Sequence, residues 1–343
     1  MQPADLAPAV FSTVGLPDAR RVELWEMHNT AVLVGLTVHA GTPLEATELN
    51  VQLSQIHLAR VAGSAHAVER TAKVIGCGPT DAIVVYLPLQ GVASFSQQGS
   101  TLTLRPGEAL ICDPDQPFAR GFARGLEELV VKVPRAAIEA QAGVRSFRHP
   151  AVATFGRAGG GDQYANALAR LAGRAVRTER PVPADERTVL DLVAVLAVGP
   201  RVALSVAHRA AARSFIEEHL TDPGLGADQI AAAIGISERQ LSRVFAADGM
   251  SVPRHILSRR LELARAMLAS RAGADQGGSG TVADIAARCG FVSVTYFSHV
   301  FRAHFGLRAG EVMRDARASF RLAAVCVRTQ PCGQGLQRQA PAA

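Results

Sequence analysis

Cysteine is scarce and unpatterned in this chain. Its five cysteines, Cys77, Cys112, Cys289, Cys326 and Cys332, are scattered through 343 residues, odd in number and without Cys-x-x-Cys or paired-histidine spacing. That pattern argues against a disulfide framework or a zinc site, so reduced thiols are expected and neither metal nor cofactor is implied. Long apolar runs are also missing, and nothing reaches the length a bilayer span needs. The first ten residues hold no basic cluster ahead of an apolar stretch, so no secretory signal is read there and a cytoplasmic protein is expected. Lysine occurs only at Lys73 and Lys132. What remains is 48% hydrophobic with a net charge of +6, enough chain for two separate cores and an excess of positive charge that favours a polyanionic partner.

The most informative feature is a pattern stated twice. Asp228-Gln-Ile-Ala-Ala-Ala-Ile-Gly-Ile-Ser-Glu-Arg-Gln-Leu-Ser-Arg-Val-Phe245 and Asp284-Ile-Ala-Ala-Arg-Cys-Gly-Phe-Val-Ser-Val-Thr-Tyr-Phe-Ser-His-Val-Phe301 share an acidic start, an Ile-Ala pair, a glycine, a serine and a closing aromatic. Each reads as a helix-turn-helix. Gly235 and Gly290 supply the positive φ that ends the first helix, and Ser237 and Ser293 cap the second. Leu241, Val244 and Phe245 recur at i, i+3, i+4, as do Phe297, Val300 and Phe301, which buries one face of each second helix and leaves the other free for a major groove. On the first unit Arg239, Ser242 and Arg243 are then placed to read bases; on the second, Val294, Thr295, Ser298 and His299. Phosphate contacts are assigned to the helix N-termini at Ser237 and Ser293 and to Arg254, Arg259 and Arg302. A long helix over Pro253–Ala269 links the units, so two successive grooves, about 10 bp apart, are expected to be read.

The preceding half alternates differently. Residues 1–45 read as an irregular or partly structured lead-in, with Phe11 and Trp25 as candidates to pack on the domain that follows. From Leu49 the alternation Leu49-Val51-Leu53-Gln55-His57 reads as a half-buried strand, followed by strands at Ala82–Leu89, Val92–Gln97, Thr101–Leu104, Ala109–Cys112 and Glu128–Val133 with turn-forming separators. Short strands at this spacing imply an antiparallel sandwich or small barrel. Two amphipathic helices follow, Asp162–Arg177 and Ala184–Ala197, as candidates for dimerisation or for packing on the strands. The expected fold class is α+β in two domains: an N-terminal antiparallel β-barrel over 46–150, a helical linker over 151–200, an all-α domain with two helix-turn-helix units over 201–317, and a flexible tail over 318–343.

Over about Val206–Arg317 the chain resembles the AraC/XylS family of bacterial transcription regulators. The segment Gly290-Phe291-x-Ser293-x-x-Tyr296-Phe297-Ser298-x-x-Phe301-Arg302-x-x-Phe305-Gly306 is close to that family's signature, and Arg260-Leu261 with Ala264-Arg265 match its central helix. Leu104-Arg105-Pro106-Gly107-Glu108-Ala109 and Asp113-Pro114 look like the family's cupin-like sensory domain. Two departures stand out: the segment Gly273–Gly280 lengthens the connection into the second unit, and no proline follows Phe305-Gly306.

The resemblance implies an effector-responsive activator of a catabolic operon. Its partners would be double-stranded DNA, a small-molecule effector and RNA polymerase, with no membrane and with a homodimer possible. A barrel of this size encloses a metabolite-sized cavity, in which His57, Arg60, Tyr86 and Arg120 are candidate effector contacts. An enzymatic cupin would hold a metal on clustered histidines, whereas here His57 and His66 stand well apart, so no enzyme is expected. The alternatives are a ligand-independent regulator whose barrel only oligomerises, and an enzyme carrying a DNA-binding appendage.

Overall fold

The computed structural model describes residues 8–143, 150–156, 161–179, 181–199, 202–270 and 281–315. The predicted 273–280 insertion, the tail over 318–343, and Cys326 and Cys332 lie outside them. Two compact units divide between Leu263 and Ala264.

The first unit opens with β1 (Ala9–Ser12), α1 (Asp18–Val32) and β2 (Thr37–His39), so the expected lead-in is ordered chain. It was missed because α1 has no clear apolar stripe: of its fifteen residues only Trp25 and Asn29 are buried. Then come β3 (Ala46–Gln52), β4 (His57–Gly63), β5 (His66–Arg70), α2 (Ala72–Cys77), β6 (Ala82–Gln90), β7 (Ala93–Gln97), β8 (Ser100–Leu104), β9 (Glu108–Cys112), β10 (Phe118–Phe122), β11 (Leu126–Pro134), α3 (Arg135–Ala142) and β12 (Ala151–Thr154). The helices α4 (Gln163–Ala175), α5 (Glu186–Val198), α6 (Leu204–His219), α7 (Ala227–Ile234), α8 (Glu238–Ala246) and the first part of α9 (Val252–Ser270) complete it.

The strands form two open antiparallel sheets rather than the expected closed barrel: a seven-stranded sheet ordered β1-β3-β4-β11-β6-β9-β12 and a five-stranded one ordered β2-β5-β10-β7-β8. Ala59, Val61, Val84, Tyr86, Leu110 and Val130 from the first meet Val68, Phe95, Phe118 and Phe122 from the second in one core. On its other face the large sheet packs Leu58, Val85, Leu87, Ile111 and Val131 against Leu168 and Leu171 of α4 and Val189, Leu192 and Val193 of α5. The apolar faces of these two helices are therefore spent on the sheet. Both faces of β6 are covered, which is why it reads Ala-Ile-Val-Val-Tyr-Leu-Pro-Leu without alternation.

The single strand predicted from Leu49 through His57 is two strands and a turn. Leu53 N donates to Ile56 O at 2.9 Å, and Glu186, the first residue of α5, accepts from the backbone N–H groups of Gln55 (2.5 Å) and Ile56 (3.1 Å). A partner 130 positions away holds this turn, so local alternation carries no trace of it. The face is also reversed: Ala46, Glu48 and Asn50 are the buried positions of β3, while Leu49 and Val51 are only partly covered.

The second unit holds the end of α9, α10 (Val282–Arg288) and α11 (Val294–Phe305), with helical backbone again at 309–315. Among the described residues no helix is long and apolar enough to cross a membrane.

Candidate nucleic-acid interface and interior cavity

The two helix-turn-helix units close their first helices in the same way. Gly235 and Gly290 adopt φ of 72° and 81°; after them Ile236 N donates to Ala231 O and Phe291 N to Ala286 O, both at 3.0 Å. This is the six-to-one bond of a helix ending on a left-handed residue, a conformation that costs any residue with a Cβ about 1–2 kcal/mol. The second helices start on serine caps: Ser237 Oγ accepts from Gln240 N and Ser293 Oγ from Tyr296 N, each at 3.2 Å. Ser237 N is itself occupied, donating to Gln240 Oε1 at 3.1 Å.

In the first unit Leu241, Val244 and Phe245 are buried, while Arg239, Gln240, Ser242 and Arg243 are exposed along the opposite face of α8. Arg254, near the start of α9, is exposed as well. In the second unit Phe297 and Phe301 are buried and Val294, Thr295, Ser298, His299 and Arg302 face solvent. Two further apolar side chains stand out beside them, Val292 at 88% and Tyr296 at 52% exposure. Neither is among the predicted readers: Val292 lies ahead of the helix, and Tyr296 enters only through the signature that resembles the family's.

Arg259 does not fit its predicted role. It is 2% exposed, its guanidinium pairs with Glu217 and Glu262, and Nη2 donates to the Pro183 carbonyl at 2.6 Å. A side chain enclosed this way cannot reach a phosphate; it joins α9 to α6 and to the segment ahead of α5.

Of the four candidate effector contacts, two line a cavity. Tyr86 and Arg120 border a space of about 40 Å³ between the sheets, with Trp25, Asn29, His66, Phe122 and Glu128 among the other walls. Arg120 donates to both oxygens of Glu128, at 2.8 and 2.7 Å, and its guanidinium lies 3.9 Å from the Tyr86 ring centroid. Among the described residues its Nε has no hydrogen-bond partner. The cavity holds a few waters at most as it stands, so a larger occupant requires its walls to move apart. Arg60 points to the other face of the sheet and pairs with Glu127. His57 faces inward but is bonded to Asn50 Oδ1 (2.7 Å) and Gln52 Oε1 (2.8 Å). Burial, with Lys132 and His28 nearby, holds its pKa down at about 4.

Glu48 is the unexpected buried acid. It is fully enclosed and among the described residues neither carboxylate oxygen meets hydrogen-bond geometry, His28 Nε2 lying 3.4 Å away. Burial raises its pKa from 4.5 to about 7. A carboxyl whose folded pKa is raised stabilises the fold below its unfolded pKa, and that contribution is lost as pH climbs through the folded value. Relative to Glu48→Gln, the wild type should therefore lose about 2–3 kcal/mol of stability between pH 5 and pH 8. His28 and His57 have the opposite dependence and are present in both proteins; His28 lies beside Glu48, so the difference between wild type and variant reports that pair. Chemical denaturation of both at the two pH values measures this; a difference that does not change with pH would show that Glu48 is not desolvated.

A model described as an AraC-binding-like domain matches residues 28–199, and one described as a helix-turn-helix domain matches 230–315. The transcriptional activator NphR of Rhodococcus sp is 26% identical over 263 residues, covering 74% of this chain and 76% of that protein. An uncharacterised protein in the nit 5′ region of Bacillus sp. (strain OxB-1) is 26% identical over 196 residues, 53% of this chain and 74% of its own. Among solved structures, the AraC-like transcriptional activator CuxR is similar at 18% identity and a TM-score of 0.46, with 74% of this chain and 94% of that chain covered. With one family model spanning half of its residues and a second covering both helix-turn-helix units, the chain belongs to the AraC/XylS family of transcription regulators.

Proposed function

We propose that the protein is a sequence-specific DNA-binding transcription activator of a catabolic operon, and that a small molecule entering the space between its two sheets sets how strongly it engages DNA or RNA polymerase. The observation that carries this reading is the pair of matched helix-turn-helix units, each with a buried apolar face and an exposed N-terminal face. The activator NphR, similar over three quarters of the chain, supports the sign of regulation.

In this reading Arg239 and Arg243 read base edges for the first unit, where an arginine can donate twice to guanine O6 and N7. Ser242 lies between them. Val294 and Thr295 suit thymine methyl groups, and Ser298 and His299 supply polar contacts. Arg254, Arg302 and the helix starts at Ser237 and Ser293 hold phosphates and carry no sequence information. The effector is met by Arg120 and Tyr86, and its binding shifts the population between two states of the protein that differ in DNA affinity.

The test is binding of the purified chain to DNA flanking its own gene, titrated against random competitor at fixed salt, with and without candidate metabolites. Selective binding that a metabolite alters is the expected result. Weak binding that salt abolishes and sequence does not affect would overturn the proposal.

A further inference from the structure

The first reading head is fastened to the sensory half by a buried network of charges. Asp191 lies in the middle of α5 and is fully enclosed. It accepts from Arg209 of α6 through Nε (2.9 Å) and Nη2 (2.8 Å), from Arg213 Nη1 at 2.6 Å, and from Gln141 of α3. Arg213 reaches onward: its Nη2 donates to Asp248 Oδ2 at 2.6 Å, and its guanidinium lies over the ring of Phe245, 5.9 Å from the centroid. Phe245 belongs to α8, the helix carrying Arg239 and Arg243, and Asp248 follows that helix by two residues.

At the other end of this contact, Arg259 ties α9 and α6 to the Pro183 carbonyl. Burying such charges costs desolvation that apolar side chains would avoid, and what it supplies in return is directional: the bonds hold only in one register of α6 on α5. The helix that contributes Gln141 grows directly out of β11, whose Glu128 borders the cavity. One stretch of chain, 126–142, therefore touches both the cavity and Asp191.

We propose that Asp191 is a positioning residue through which the β11–α3 stretch and the recognition helix α8 sense one another, by way of Arg213 and Asp248. This rests on the reading of the protein as an effector-responsive regulator and names the route by which its two functions are coupled. Coupling between sites is reciprocal, so it can be measured from the DNA side without knowing the effector.

The experiment follows hydrogen exchange of the full chain, wild type and Asp248→Asn, with and without a duplex enriched from random DNA. Asp248 is partly exposed, so this variant removes only the outer pairs that Asp248 makes with Arg213 and Arg209 and retains those of the enclosed Asp191 with both arginines. Without DNA, Asp248→Asn should speed exchange in α8 at least fivefold while α10 and α11 stay unchanged. In the wild type, the duplex should slow exchange in α3 by about fivefold or more, and in Asp248→Asn by less than twofold while α8 remains protected. Unchanged α8 exchange in the variant overturns the proposal, as does equal protection of α3 in both proteins or in neither. If no duplex is enriched, the reading as a DNA-binding regulator fails, whereas unchanged α8 exchange in the arm without DNA overturns the Arg213–Asp248 link itself.

Discussion

Replacing Arg259 by alanine is expected to destabilise the first unit by about 3–5 kcal/mol, the range for breaking a buried ion pair from one side. Glu217 is itself 8% exposed, so removing the guanidinium leaves a carboxylate in the interior without its partner, and the Pro183 carbonyl loses its donor. Burial disfavours the charged guanidinium, but Glu217, Glu262 and Asp185 outweigh that and hold its pKa above the usual arginine value. The same variant should leave the salt dependence of DNA binding unchanged, because Arg259 touches no phosphate. Urea denaturation and a salt titration of binding check the two halves together. A stable variant whose salt slope falls by about one contact would restore the phosphate role that spacing suggested. Arg254→Ala is the contrasting case: exposed and without a packing role, it should weaken binding to all DNA and reduce the slope while leaving stability alone.

Arg243→Ala should instead cost about 1–3 kcal/mol on the selected operator, roughly 5- to 150-fold in affinity, with little change on random DNA. The side chain is exposed on the face of α8 opposite Leu241, Val244 and Phe245, so truncating it removes no core contact. Arg243→Lys separates charge from geometry. Lysine keeps the positive charge but not the planar fork, so non-specific binding should persist while discrimination at one base pair falls. Competition titrations with single-base operator variants measure this. An equal loss on operator and random DNA would place Arg243 on the backbone instead.

The helix-turn-helix units were legible because their determinants are local. A glycine that must take positive φ, a serine cap three residues before its N–H donor and an apolar i, i+3, i+4 stripe all lie within eighteen residues, and they recur after a fixed interval. The sensory half was legible in part. β6, β7, β8, β9 and β11 carried their own apolar runs and turn signals, whereas β5 and β10 did not: His66-Ala-Val-Glu-Arg70 and Phe118-Ala-Arg-Gly-Phe122 each hide a buried arginine at an inward position. Arg70 is satisfied by Pro114 O, Gly35 O and Asp115, and the two terminal nitrogens of Arg120 pair with Glu128. Both arginines are core residues here, although an arginine in a short strand ordinarily reads as surface charge.

Helical periodicity and capping act over a few residues, so the class of protein, the second helix of each unit and the side chains on their exposed faces are legible in the chain alone. Long-range packing sets the rest: the sensory sheets stay open, Glu48 and His57 face inward while Arg60 faces away, and Arg259 is buried. Arg60 and Arg259 depend on ion-pair partners tens of residues distant, and the faces of Glu48 and His57 on the pairing of β3 and β4 with β1 and β11. An arginine reads the same in a sequence whether its counter-charge is solvent, phosphate or a glutamate forty positions earlier, and only packing distinguishes the three.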